Sequence, residues 1–201
     1  MLRHALLLAL LVSGCVQNGS VTVTISGDGS GVVTSDPAAI TCGRDQSDCT
    51  TPVDGASVAR LIATPADGNA FIYWGGACAG AGDCFVDGSS DATVDARFER
   101  YRTLTINTEG SGIYAVTAPG TEVNCGAGTC VYVFPPRTEI TLIAAADPRT
   151  AFLGWVGACP ETAMYHECSI VLDSDLTVGA RFAPVVQLSI LLTGSAAGAV
   201  N

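Results

Sequence analysis

Phe71-Ile-Tyr-Trp74-Gly-Gly-Ala-Cys78 returns 81 positions later as Phe152-Leu-Gly-Trp155-Val-Gly-Ala-Cys159. The match extends outward in register. Gly29-Ser30-Gly31 returns as Gly110-Ser111-Gly112, and Leu61-Ile62-Ala63 as Leu142-Ile143-Ala144. Val94-Asp-Ala-Arg97-Phe98 returns as Val178-Gly-Ala-Arg181-Phe182. Self-similarity at a fixed period marks an array of small modules rather than one large core. The repeats run over residues 21–100 and 101–184.

Each repeat reads as β structure. Val21, Val23 and Ile25 alternate with Thr22, Thr24 and Ser26, the period of a half-buried strand. Gly27-Asp-Gly-Ser-Gly31 supplies a turn, and Val32 and Val33 open a second strand, so the pattern predicts an opening hairpin. Further strands are expected at Ser57–Thr64, Ala70–Trp74 and Ala92–Phe98. No long apolar stripe of helical period is present. Repeat two follows the same order, with Pro135-Pro136 breaking the chain before a strand at Glu139–Ala144. The pattern then starts again: Leu188, Ile190 and Leu192 lead into Gly194-Ser-Ala-Ala-Gly198. Residues 185–201 read as the incomplete opening hairpin of a third repeat. A membrane tail is the rival reading, but that segment is shorter than a bilayer span and carries polar residues.

The N-terminus carries export signals. Arg3 precedes an apolar run from Ala5 to Val12, and Val12-Ser13-Gly14-Cys15 resembles the bacterial lipobox. Residues 1–14 are thus expected to be a lipoprotein signal, Cys15 the lipid-bearing residue that ties the chain to the membrane, and 15–20 a linker. An ordinary secretory signal is the alternative. Val16 stands where enteric lipoproteins retained at the inner membrane carry Asp, which points to the outer membrane.

Cysteine arithmetic agrees with export. Nine Cys are present; setting Cys15 aside leaves four in each repeat, an even number that implies disulfides in an exported chain. Sequence neighbours pair most simply as Cys42/Cys49, Cys78/Cys84, Cys125/Cys130 and Cys159/Cys168, although four Cys allow three connectivities. Zinc is the sharper alternative, but the spacings are mostly wider than a zinc knuckle and no His accompanies them.

Charge narrows the partners. The net charge is −10, with 19 acidic residues and nine basic ones that are all Arg. Such a chain repels phosphate backbones, so no nucleic-acid partner is expected. Catalysis finds little footing. Beyond the leader His166 is the single imidazole, there is no Lys, and Gly27–Gly31 joins two strands where a phosphate loop would start a helix. No catalytic residue, cofactor or metal is expected. The Asp87-Gly-Ser-Ser-Asp91 and Asp173-Ser-Asp175 turns lack EF-hand spacing and read as turn chemistry. Trp74 and Trp155 read as core residues; a sugar-stacking platform is the alternative, and it requires an exposed indole. Arg97 and Arg181 should point outward, toward an ion pair or solvent.

Together these motifs resemble the divergent internalin-type B-repeats: the Gly-Ser-Gly opening, the Cys loop, the strand reaching Ala63-Thr-Pro65, Phe-x-x-Trp-x-Gly-Ala-Cys, and the closing Val-x-Ala-x-Phe. The resemblance covers residues 21–184. It implies small, mainly β, β-grasp-like modules on cell-surface or secreted proteins, with no catalytic site and no fixed ligand. Repeat two departs at Ala144-Ala-Ala-Asp-Pro148, where the Thr-Pro step is lost. The function so implied is a structural stalk or protein-interaction module at the cell envelope. A glycan-binding module, or the spacer of a longer surface protein, is the alternative.

Overall fold

The computed structural model describes residues 18–111, 114–159, 166–186 and 189. Cys15 and nearly all of the expected third repeat lie outside them. The chain divides into two compact units between Tyr101 and Arg102. Among the described residues every regular element is a strand.

In the first unit, β1 (Gly19–Ser26), β5 (Thr50–Val53), β7 (Asn69–Gly76) and β9 (Ala92–Arg100) form one sheet in the order β5-β1-β9-β7. A second sheet holds β2 (Gly31–Asp36), β3 (Thr41–Gly43), β4 (Gln46–Asp48), β6 (Val58–Pro65) and β8 (Cys84–Asp87), in the order β4-β3-β2-β6-β8. The alternation in β1 buries Val21 and Val23 while Thr22 and Thr24 face outward. Leu61 and Val33 do the same from the second sheet, closing a core over Trp74, Val94, Ala96 and Phe98.

The opening is not a hairpin. β1 pairs antiparallel with β5 and parallel with β9, whereas β2 pairs with β3 and β6. Both strands carry a buried apolar face, and each needs two neighbours, so residues 27–30 carry the chain from one layer to the other. Gly27 turns there at φ 93°, close under β9, where a Cβ would collide with the Phe98 carbonyl. Gly110 occupies the same place in the second unit, at φ 127° against the Phe182 carbonyl. Only glycine combines that backbone with that approach.

The second unit repeats the plan. Its first sheet contains β10 (Arg102–Glu109), β13 (Gly128–Phe134), β15 (Thr150–Gly157) and β17 (Leu176–Pro184), in the order β13-β10-β17-β15. Its second contains β11 (Tyr114–Thr117), β12 (Asn124–Cys125), β14 (Glu139–Ala146) and β16 (Glu167–Val171), in the order β12-β11-β14-β16. Leu104, Ile106, Leu142, Trp155, Val178 and Phe182 close its core.

Each unit carries two disulfides, Cys42–Cys49 and Cys78–Cys84 in the first, Cys125–Cys130 and Cys159–Cys168 in the second. All four close short loops, with Cα separations between 4.6 and 5.8 Å. A core of this size gains from such staples, each contributing about 2–3 kcal/mol by restricting the unfolded chain.

Candidate interaction surface

With both cores filled by apolar side chains, the chemistry available to a partner lies on the outer sheet faces and in the loops. Trp74 and Trp155 are 3% and 5% exposed. Phe71 packs on Trp74 at 4.8 Å between centroids, and Phe152 on Trp155 at 5.1 Å. The Trp74 indole N–H donates to the Gly82 carbonyl at 3.0 Å, which satisfies its polar edge inside the unit. Both indoles are core residues, and the stacking platform that a glycan reading requires of them is not formed.

The acidic turns are likewise occupied. Asp87 Oδ1 accepts from the backbone N and hydroxyl of Ser89, which lowers its pKa below the usual carboxylate value. Asp91 Oδ1 accepts from the Ser20 hydroxyl at 2.8 Å and the Ser20 N–H at 2.9 Å, with the same effect. Asp175 takes the Thr103 N–H at 2.9 Å. Asp91 and Asp175 thus tie the start of the last strand of each unit to the first, while Asp87 closes its own turn. Among the described residues no three metal-ligating side chains converge.

The first sheet of unit one presents a charged, hydroxyl-rich face. Thr24 and Ser26 donate to the two carboxylate oxygens of Asp95 at 3.0 and 2.6 Å. Arg97 Nε donates to Glu99 at 2.8 Å, and that hydrogen bond raises the Arg97 pKa. Thr22 and Thr50 share a hydrogen bond at 3.2 Å across the β1–β5 pair. The corresponding face of unit two keeps hydroxyls, with Thr129 donating to Asn107 Oδ1 at 2.8 Å across β10 and β13, but has lost charge. Gly179 stands at the place of Asp95 and Ala183 at that of Glu99, while β13 presents Val131 and Val133 at 60% and 59% exposure. Arg181 keeps an ion pair, with Glu109 at 3.6 Å, at one end.

The second sheets differ as well, although Val171 on β16 is exposed in unit two. In unit one, Val58, Ile62 and Phe85 are exposed on β6 and β8 around Arg60, which pairs with Asp83 at 2.9 Å. A shallow cleft of about 360 Å³ opens beside this ion pair, floored by Phe71 and Trp74. In unit two, Thr141 and Ser169 hydrogen-bond at 2.9 Å across β14 and β16. His166, just before β16, lies 5.5 Å from the Phe152 ring. Sequence reasoning singled out the Trp and acidic turns and missed these faces. Their signal was present only as single exposed positions within an unchanged strand pattern.

No curated protein matches the chain. Among solved structures it is similar to the Bacillus anthracis TIE protein, with 10% identity and a TM-score of 0.30 over 84% of this chain and 34% of that one. It thus spans about a third of that protein's length. It is also similar to GBS52, the minor pilin of Streptococcus agalactiae, at 6% identity and a TM-score of 0.29, covering 87% of this chain and 100% of the other. The shaft pilin SpaA of Lactobacillus rhamnosus GG gives 11% identity and 0.28, with the same coverages. Likenesses this loose carry nothing about function. The family comparison is sharper: residues 21–102 match the divergent InlB B-repeat domain. That range takes in the strands of unit one apart from the first two residues of β1, and unit two repeats its first sheet order, its second sheet order without a counterpart of β4, and both its disulfides. By that match unit one is similar to the divergent InlB B-repeat domain.

Proposed function

We propose that the chain is a non-catalytic lipoprotein of the cell envelope whose tandem β modules act as a stalk or protein-interaction device. One observation carries the reading: the same two-layer, doubly disulfide-stapled unit is built twice in tandem, with its aromatic residues spent on the two cores. Four disulfides suit an oxidising compartment. The export leader and Cys15 supply the attachment, through acyl chains that would hold the protein at the outer membrane. Short-loop staples make each unit resistant to local opening, as a load-bearing spacer needs. Deletion of residues 21–184 should abolish attachment of cells to a protein matrix or to each other while leaving growth unchanged. The lipid arm is tested separately by palmitate labelling. Cys15→Ala should abolish label and release the protein from the membrane fraction. Loss of adhesion with unlabelled but surface-held protein would separate the two parts of the reading.

A further inference from the structure

Eight strands lie at sheet edges among the described residues, and seven carry a feature that blocks strand addition. β5 is four residues long and contains Pro52; β4 has three residues and β12 two. β8 is four residues long and ends in Asp87, and β16 begins with Glu167. β7 and β15 are each interrupted by a bulge, between Phe71 and Tyr73 and between Phe152 and Gly154. Short length, proline, charge and bulges are the devices by which natural sheets keep their edges from pairing with other chains. β13 has none of them. It runs for seven residues, pairs with β10 without a register shift from Phe134 to Gly128, and exposes Val131 and Val133.

Charge says what could approach it. Residues 126–136, Gly-Ala-Gly-Thr-Cys-Val-Tyr-Val-Phe-Pro-Pro, contain no charged residue in a chain of net charge −10. The outward positions facing it on β10, Thr103, Thr105 and Asn107, are also neutral, and the charges that this face does carry, Glu109 and Arg181, pair with each other at 3.6 Å at one end. Extended, those eleven residues span about 36 Å, several times the screening length of about 8 Å at physiological salt. A cationic partner would find no carboxylate along this strand to pair with. A second acidic chain, by contrast, meets no like charge there. Antiparallel pairing of a strand with itself also closes by a two-fold axis, so it forms a dimer and stops.

We infer that β13 is a homodimerisation edge, pairing antiparallel with β13 of a second copy of this chain to join two first sheets of unit two. The inference goes beyond the stalk reading and does not depend on it. Apolar contact between Val131 and Val133 side chains would add to the main-chain hydrogen bonds. Because the remaining surfaces of both copies are acidic, association should strengthen as salt rises.

Sedimentation velocity on the oxidised full chain carrying Cys15→Ser, which removes the odd thiol, tests this. A monomer–dimer equilibrium is expected, with a dissociation constant that falls between 0.05 and 0.5 M salt, about 14 to 4 Å of screening length. Val131→Lys and Val133→Lys should each weaken it by about tenfold or more by placing like charges across the new pair. Leu153→Lys, an equally exposed apolar position on the far edge of the same sheet, should leave it unchanged. Circular dichroism establishes that each variant is folded. If a Lys variant fails to fold, Thr129→Lys on the same strand takes its place. A chain that stays monomeric to its solubility limit in 0.5 M salt overturns the proposal. So does a dimer that weakens with salt, or one that Leu153→Lys disrupts as strongly as Val131→Lys.

Discussion

The two units share a fold and differ in their surfaces. Unit one carries charge and hydroxyls on its first sheet and exposes Val58, Ile62 and Phe85 on its second. Unit two exposes Val131, Val133 and Leu153 on its first sheet, and on its second keeps a Thr141–Ser169 hydrogen bond beside an exposed Val171. One cross-strand pair shows how locally this was done. Gly75 faces Asp95 in unit one, and Val156 faces Gly179 in unit two. The space that glycine vacates is taken by its partner's side chain, on opposite strands in the two units. Cores answer to shared packing constraints, while outer faces need only keep each cross-strand pair fitted. The repeat therefore supplies one scaffold with two different faces.

What should remain equal between the units is the core. Trp74→Ala and Trp155→Ala should each destabilise their own unit by about 3–5 kcal/mol, since each removes a buried indole packed on a phenylalanine. Urea titration followed by hydrogen exchange, with each unit read separately, checks this. A loss under 1 kcal/mol at either site would mean that the indole is replaceable by solvent, and would break the equivalence. Next in size are the staples. Replacing Cys78 and Cys84 together by Ser, or Cys159 and Cys168, should cost about 2–3 kcal/mol per pair through the freed unfolded chain.

Much of this scaffold could be read from the repeat. The period-two runs at Val21–Ile25 and Leu104–Ile106 gave strands with the correct buried faces, and Phe71 through Cys78 marked the aromatic core. Alternation states which side of a strand is buried, however, and is silent on its neighbours. That is why Gly27–Gly31 read as a hairpin turn although it links two sheets. The parallel pairing of Val23 with Val94 joins residues far apart in sequence, and no local pattern encodes it. The surface difference was illegible for another reason. Asp95 and Gly179 occupy the same outward slot, so substituting one for the other leaves the hydrophobic period untouched. The charge-free run at residues 126–136 was visible in the sequence, but its place on an open edge was not.

The Gly75–Asp95 and Val156–Gly179 exchange can be tested by transplantation. Gly179→Asp alone introduces a Cβ that collides with the Val156 Cγ2, and should cost about 1–3 kcal/mol by overpacking. Combining it with Val156→Gly recreates the unit-one pair and should recover most of that loss, less about 1 kcal/mol for the added glycine in a strand. Thermal unfolding of the single and double variants supplies the coupling energy. Additive losses in the double variant would show that the two positions do not compensate one another.

The smallest expected effect concerns the tie between the first and last strands of unit one. Asp91 accepts two hydrogen bonds from Ser20, and they favour its ionised form, so its folded pKa lies below the ordinary 3.8. A carboxylate whose pKa is depressed on folding contributes stability above its unfolded value, and that contribution is lost as pH falls through the folded value. The Asp91 tie should therefore be intact at neutral pH and weaken only below about pH 4. Protonation leaves the Ser20 N–H and hydroxyl facing a neutral, weaker acceptor. Amides of β1 near Ser20 should then exchange faster relative to those of β10 than they do at pH 6. Asp91→Asn should remove the pH dependence while preserving an acceptor oxygen. The group is solvent-exposed, so the change should stay local to the start of β1 and leave the unfolding midpoint of unit one nearly unmoved. Equal acceleration at β1 and β10 would instead place the acid sensitivity outside this pair.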